Sequence, residues 1–187
     1  RPISQLSSLS KIFEKAIFAQ ASEFLNSNNI THELQFGFRP NHSCSHAVLK
    51  TVCELEAAKN KNLFTILVSI DLRKAFDTVN VSEILPAKLK HYFGNEKTCN
   101  FLSSFFTDRQ QFVKINDAQS SVVNTYDIGV IQGSSLGPPC FSLYINDLPK
   151  VTRMRCILFA DDTSLLLSSN NLKELEAQTS CELEKIA

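Results

Sequence analysis

Apolar residues recur at helical spacing through Leu6, Leu9, Ile12, Phe13, Ala16, Ile17, Phe24 and Leu25. That spacing predicts a helix over about residues 8–26, opened by Ser8 or Ser10 and stopped by Asn26-Ser27-Asn28-Asn29. A loop through Gln35-Phe36-Gly37-Phe38-Arg39-Pro40-Asn41 leads to a second predicted helix over about 43–59. Ser43 would cap it, and Ala47, Val48, Thr51, Val52 and Leu55 would form its buried face. Residues 63–70 are almost continuously apolar and rich in β-branched side chains, the pattern of a central strand covered on both faces, with Asp71 at its end. Helical patterns follow over 72–79, 82–92 and 98–106, and Pro86 either bends the second of these or marks its late start. Residues 111–116 and 122–128 predict a hairpin. A loop over 133–138 enters a helix over about 138–147. Then 154–160, the Asp161-Asp162 pair and 163–167 read as strand, tight turn, strand, and a last helix starts near Leu172. The order of helices and hairpins does not alternate as a doubly wound sheet would, so the predicted class is α+β.

Composition narrows the picture. With 43% apolar and 20% charged residues, the 187-residue chain has the balance of a globular protein and not of a disordered one. No apolar run is long enough to span a bilayer. The opening Arg1-Pro2-Ile3-Ser4 lacks an initiator Met and a signal-peptide pattern, so an excerpt of a longer sequence is expected. Fourteen Phe against three Tyr and no Trp point to a Phe-rich interior. Nineteen basic and nineteen acidic residues cancel, which gives no support to nonspecific nucleic-acid binding through a broad basic face and leaves room for a local groove. Cys44, Cys53, Cys99, Cys140, Cys156 and Cys181 form no C-x-x-C pair, so free thiols in a reducing compartment are expected, several of them in the core.

Asp71, Asp161 and Asp162 are the sharpest chemical feature. If their strands are neighbours, three carboxylates converge at one edge of an apolar sheet. Oxygen donors without His or Cys suit magnesium, and two such ions serve in-line phosphoryl transfer. On pattern alone a second reading stands beside this one: Asp71 caps a helix and Asp161-Asp162 form a hairpin turn. Phe76 and Asp77 are either the wall of that site or a core ring and a surface acid. Gly133 and Gly137 allow a tight turn or the close approach of another group, with Gln132 at the loop mouth, but the phosphate-cradling G-x-x-x-x-G-K-[ST] pattern is missing. Arg39 is either a phosphate contact or a surface cation over an aromatic ring. The four histidines show no ligand spacing, and Ser134 and Ser135 sit in no nucleophile elbow.

Taken together, these segments resemble the reverse transcriptases. Phe159-Ala160-Asp161-Asp162 is similar to their aromatic-x-Asp-Asp signature, and Asp71-Leu72-Arg73-Lys74-Ala75-Phe76-Asp77-Thr78-Val79 to their first acidic motif. Gln132-Gly133-Ser134-Ser135-Leu136-Gly137-Pro138, with Leu143-Tyr144-Ile145-Asn146-Asp147-Leu148-Pro149, resembles their Gln-Gly-Ser motif and the helix after it. Arg1-Pro2-Ile3-Ser4, Leu9-Ser10-Lys11-Ile12-Phe13-Glu14-Lys15 and Gln35-Phe36-Gly37-Phe38-Arg39-Pro40 resemble fingers segments. The combination is closest to the non-LTR, LINE-like branch, in particular to insect elements of the jockey type. Ile131 stands where that family usually has Pro, and Pro139-Cys140 replaces an apolar pair; a local adjustment is expected there.

The resemblance implies a right-hand polymerase palm, an antiparallel sheet backed by helices, with partial fingers and no thumb. Residues 1–62 would be fingers and 63–187 palm, with a fingers-associated hairpin around 110–128. It implies RNA-directed DNA synthesis from a dNTP onto a primer 3′-hydroxyl, with an RNA template and a DNA primer as partners, two Mg²⁺ ions or Mn²⁺ as cofactor, and no membrane. Asp71 and Asp161 would hold the metal, with Asp162 beside them. Phe76 would be the steric gate against a 2′-hydroxyl, Gln132 and Gly133 the nucleotide and template lining, Arg1 a triphosphate contact, and Phe159 and Ala160 the strand beneath the primer end. Further palm, thumb and endonuclease parts would belong to the parent protein, expected in nucleus and cytoplasm and not secreted. Two other readings remain: an inert fragment or degenerate copy with at most weak nucleic-acid binding, and a palm polymerase that copies RNA into RNA.

Overall fold

The computed structural model describes residues 3–125 and 129–186. Two compact units divide the chain, one formed by Arg1–Ala21 with Lys74–Tyr144 and the other by Ser22–Arg73 with Ile145–Ala187.

The second unit is built around a three-stranded antiparallel sheet in the order β1-β7-β6 (β1, Phe64–Asp71; β6, Arg155–Phe159; β7, Asp162–Ser169). Antiparallel register runs from Phe64↔Ser169 to Asp71↔Asp162 on one side and from Arg155↔Leu166 to Phe159↔Asp162 on the other. Two apolar clusters bracket the sheet. Met154, Cys156, Leu158 and Leu165 pack with Val68, Ile70, Leu167, Leu183 and Ile186, which places helix α7 (Leu172–Glu184) on this side. Leu34, Phe36, Ala47, Ile157 and Leu166 pack with Leu55 and Phe159, which brings in helix α2 (Cys44–Asn60). Burial of this kind stabilises by roughly 25 cal/mol per Å² of apolar surface, so these clusters are the main cohesive force of the unit.

Local chemistry sets the helix ends. Ser43 accepts a hydrogen bond from the His46 N–H, as its position predicted. Asn171 accepts from the N–H groups of Lys173 and Glu174 at the start of α7. Each such cap satisfies a donor that the first helical turn leaves open.

Within the first unit, helix α3 (Ile84–Phe93) packs on α4 (Glu96–Ser104) and on α5 (Gly137–Tyr144). Pro86 lies in the first turn of α3 and so marks a late start, where its missing N–H costs nothing. Pro138 and Pro139 occupy the first turn of α5 on the same ground, so the departures around Cys140 are absorbed locally. The predicted hairpin over 111–128 is a pair of short ladders, β2 (Gln110–Gln111) with β5 (Val123–Asn124) and β3 (Lys114–Ile115) with β4 (Ala118–Gln119). The end of that prediction, residues 126–128, lies outside the described residues.

Several expectations are corrected. Strand β1 is not central: among the described strands it pairs only with β7, and Phe64 and Leu67 are exposed. A continuous apolar run therefore does not require two covered faces. Residues 72–79 form only a 3₁₀ turn at Ala75–Thr78, entered through Lys74 at φ +54°. On helix α1 (Ser8–Ser27), Leu9, Ile12 and Phe13 are exposed while Glu14 is buried. On α2, Val48 and Val52 are exposed, and Ala47 and Ala58 are buried. On α1 the apolar stripe faces outward at Leu9, Ile12 and Phe13, whereas on α2 the expected face holds at Ala47 and Leu55 and fails at Val48 and Val52.

Candidate active site

Asp71 is the last residue of β1 and Asp162 the first of β7, and the register sets them directly opposite one another. Directly opposed residues of an antiparallel pair point to the same face, and like charges so placed repel. Asp71 and Asp162 are exposed and Asp161 is half-buried. This end of the sheet therefore gathers negative charge at a cost to stability.

The hairpin that presents Asp161 is tight. Phe159 pairs with Asp162, leaving Ala160 and Asp161 as the two turn residues. Ala160 has φ +56°, the sign at the first turn position for which glycine is usually chosen. A non-glycine residue held there costs on the order of 1–3 kcal/mol, which the surrounding contacts must offset. The Ala160 methyl is buried, and the Phe159 ring packs against the cluster of Leu34, Phe36, Ala47, Ile157 and Leu166. Three expected acidic residues, with Phe159 and Ala160, are thus brought to one end of one unit.

Phe76, Gln132 and Gly133 belong to the other unit. Phe76 stacks on Phe141, with ring centroids 4.7 Å apart and planes 24° from parallel. The Val130 N–H donates to the Phe76 carbonyl over 2.8 Å, and the Gly129 N–H to the Val79 carbonyl over 2.7 Å. Gln132 Nε2 donates to Asp77 Oδ1 at 3.0 Å. Asp77 is therefore tied to the loop that follows, a role its position in the sequence did not reveal.

That loop is held from several directions. Ser134 Oγ donates to the Ile131 carbonyl at 2.8 Å and accepts from the Gly137 N–H at 2.9 Å, closing the turn into α5. The Ser4 N–H donates to the Gln132 carbonyl over 2.9 Å. Gly133, at φ +96°, has no room for a side chain: a methyl group there would lie 2.8 Å from Ile3 Cγ2 and 2.9 Å from the Ser4 carbonyl oxygen. Glu14, 1% exposed, accepts from the Ser135 N–H at 2.6 Å with one oxygen and from the Ser10 hydroxyl at 2.9 Å with the other. A buried carboxylate is costly unless so satisfied. The lone acid between Phe13 and Ile17 was the available signal for it. Arg1 lies outside the described residues.

The six cysteines are free, and Cys99, Cys140 and Cys156 are buried. Burial pushes the Cys140 thiol up to about 12 and the Cys156 thiol to about 11, which leaves both as unreactive core groups. Among the described residues no three His, Cys, Asp or Glu side chains gather into a group that could hold a metal ion. Among them, too, no helix is long and apolar enough to cross a membrane.

An antiparallel sheet backed by helices, with acidic residues gathered at one end of it, is the palm-like arrangement of a polymerase. The chain belongs to the reverse transcriptase (RNA-dependent DNA polymerase) family, whose model matches residues 1–186. More particularly, it is a reverse-transcriptase-like domain related to those of non-LTR retrotransposons. It is 33% identical, over 93% of its length, to the probable RNA-directed DNA polymerase from transposon BS of Drosophila melanogaster, covering 20% of that protein. To the probable RNA-directed DNA polymerase from the X-element transposon of the same species it is 32% identical over 90% of its length, covering 19%. To the RNA-directed DNA polymerase from the mobile element jockey, also of that species, it is 30% identical over 92% of its length, again covering 19%. The chain thus spans about a fifth of the length of these relatives. Apo telomerase from Candida tropicalis, truncated from its C-terminal domain, matches 94% of the chain with 37% of its own length at a TM-score of 0.60. At 14% identity, that likeness is one of fold alone.

Proposed function

We propose that this chain carries the nucleotidyl-transfer carboxylates of an RNA-directed DNA polymerase and performs that chemistry as part of a longer protein. The observation that carries this reading is the register that opposes Asp71 and Asp162, with Asp161 on the adjoining turn. Relatives named as RNA-directed DNA polymerases support it. The donors are all carboxylate oxygens, which fit Mg²⁺. That ion is commonly held by one or two carboxylates together with substrate phosphates and not by an all-protein cage. Asp71 and Asp161 would hold the ions, with Asp162 adding charge beside them. Two Mg²⁺ ions there, or Mn²⁺ in their place, would ease deprotonation of the attacking hydroxyl and offset charge on the leaving oxygen.

The remaining work falls to the chain's own groups. The primer 3′-oxygen bonds to the α-phosphorus of a dNTP, the bond from that phosphorus to the bridging oxygen breaks, and pyrophosphate leaves. Phe159 and Ala160 lie beneath the primer end in this reading. Phe76, its ring fixed by the stack on Phe141, crowds a 2′-hydroxyl. Gln132 and Gly133 line the nucleotide and the RNA template. A second reading has an observation of its own: with no three-donor group among the described residues, the 187-residue chain alone is inert, with at most weak affinity for nucleic acid.

Primer extension on RNA with Mg²⁺ tests both. The full-length protein is expected to extend the primer, and Asp71→Asn and Asp161→Asn each to lose roughly 10⁴-fold or more, the scale of removing one member of a catalytic unit. Wild-type rates in Asp161→Asn would rule the assignment out. Extension by the 187-residue chain alone would rule out the second reading. Phe76→Ala is expected to admit ribonucleotides; unchanged selectivity would remove the gate and reopen an RNA-copying enzyme.

A further inference from the structure

The segment from Leu34 to Gly37 has no part in the chemistry above, yet it is built into the sheet. The Leu158 N–H donates to the Leu34 carbonyl over 2.9 Å, and the Phe36 N–H donates to the Leu158 carbonyl over 2.8 Å. Gln35 thereby forms a parallel bridge with Leu158 on the outer side of β6. Two residues after Gln35 the segment meets the acidic hairpin backbone to backbone. A methyl group at Gly37 would lie 2.2 Å from the Ala160 amide nitrogen, 2.9 Å from the Ala160 Cα and 3.0 Å from the Phe159 carbonyl carbon. All three are main-chain atoms, so no side chain can swing aside to make room.

Two further details show that this approach is held in place. Gln35 is 1% exposed, and its Oε1 accepts the Gly37 N–H at 2.8 Å. Its Nε2 is buried without a hydrogen-bond partner among the described residues, so burial of Gln35 is not explained by full satisfaction of its amide. Immediately beyond Gly37, Phe38 has φ +54°, rare for a bulky residue. Unusual backbone thus occurs on both sides of the contact, at Phe38 and at Ala160, the pattern expected where surroundings over-determine a functional segment.

We propose that Gly37 is a positioning residue for nucleotidyl transfer. By admitting the backbone of the Ala160-Asp161 turn to close contact, and being locked by Gln35, it sets the height at which Asp161 stands above the sheet. This inference rests on the polymerase reading of Asp161. It assigns the Gln35-Phe36-Gly37 segment the task of a rigid support under the carboxylate hairpin.

The test compares Gly37→Ala with Ala47→Gly in the full-length protein. Ala47 belongs to the same apolar cluster, and its change loosens that cluster without adding an atom at the turn. Primer extension under Mg²⁺ should show kcat lowered about 100-fold in Gly37→Ala, the scale of an ångström-sized misplacement, with KM for dNTP within about threefold of wild type. Ala47→Gly should keep kcat within about threefold even where it lowers the thermal midpoint by as much. A second readout does not depend on activity: amide exchange over residues 158–162 should speed up at least tenfold more in Gly37→Ala than in Ala47→Gly. If Gly37→Ala does not fold, Gln35→Ala, which removes the lock without adding an atom, should give the same kcat-selective loss and the same local exchange. Unchanged kcat and exchange in the folded variant, or equal losses in Ala47→Gly, would overturn the proposal. An active Asp161→Asn, by contrast, would sink the polymerase reading while the exchange result still decided the support role.

Discussion

Strands β6 and β7 run together from Arg155↔Leu166 to Phe159↔Asp162 and bury Cys156, Leu158 and Leu165, whereas the β2–β5 and β3–β4 ladders hold two residues per strand, all of them exposed. Both regions are apolar in sequence, and Phe112, Val113, Ile115, Val122 and Val123 would suit a core as well as Leu158 does. The difference lies in what covers them. Helices α2 and α7 close over the sheet of the acidic residues, and their apolar side chains turn its alternation into burial. A two-stranded ladder without such cover is marginal in water. The carboxylates therefore stand on the well-packed part of the chain.

The sharpest way to break this comparison is to remove one side chain from each region. Leu165→Ala, at a fully buried position, is expected to lose about 2–5 kcal/mol in a urea unfolding titration. Ile115→Ala, on the exposed ladder, should stay within about 0.5 kcal/mol. Comparable losses would show that the short ladders carry more cohesion than their exposure implies.

This contrast also marks how far the sequence could be read. The strands around Asp161-Asp162, the cap at Ser43, the start of the last helix near Leu172, and the helices near 84–93 and 137–144 follow from local signals, because turn and capping chemistry acts over a few residues. Pattern alone leaves the convergence of Asp71 with Asp162 as one of two readings, and it is the register of β1 on β7 that sets them opposite one another. Orientation was harder. Leu9, Ile12 and Phe13 form as good a stripe as any, yet Glu14 is the buried residue, because its partner at Ser135 is 121 positions away and invisible to periodicity. Gly37 likewise reads in sequence as a loop glycine, since the Ala160 backbone that packs against it is more than 120 positions away.

Glu14 offers the next smaller effect, since it anchors a loop and not a core. Glu14→Ala leaves the Ser135 N–H and the Ser10 hydroxyl without their acceptor and should cost about 1–3 kcal/mol by urea titration. Glu14→Gln keeps an acceptor and should recover part of that. Equal losses in the two variants would show that charge, and not the hydrogen bond, is what matters there.

The smallest expected effect lies under the sheet, where Glu182 of α7 joins the 152–154 segment. The Lys185 ammonium, then the Arg153 N–H and the Thr152 hydroxyl, hold the Glu182 carboxyl at about 2 against an ordinary value of 4.5. A depressed carboxyl stabilises the fold fully above the ordinary value and loses that contribution as pH falls toward 2. Glu182→Gln should therefore flatten the loss of stability between about pH 4.5 and 2, read from unfolding midpoints across that window. An unchanged acid limb would place the acid sensitivity elsewhere.

The opposition of Asp71 and Asp162 also makes the solvent part of the architecture. Two acidic groups face each other where β1 ends and β7 begins, so mobile counterions govern how firmly that tip of the ladder stays zipped. That end of the β1–β7 ladder will be slackest in dilute buffer and will tighten as ionic strength rises. The choice of electrolyte thus becomes a conformational variable at the end of the sheet where the acidic residues stand.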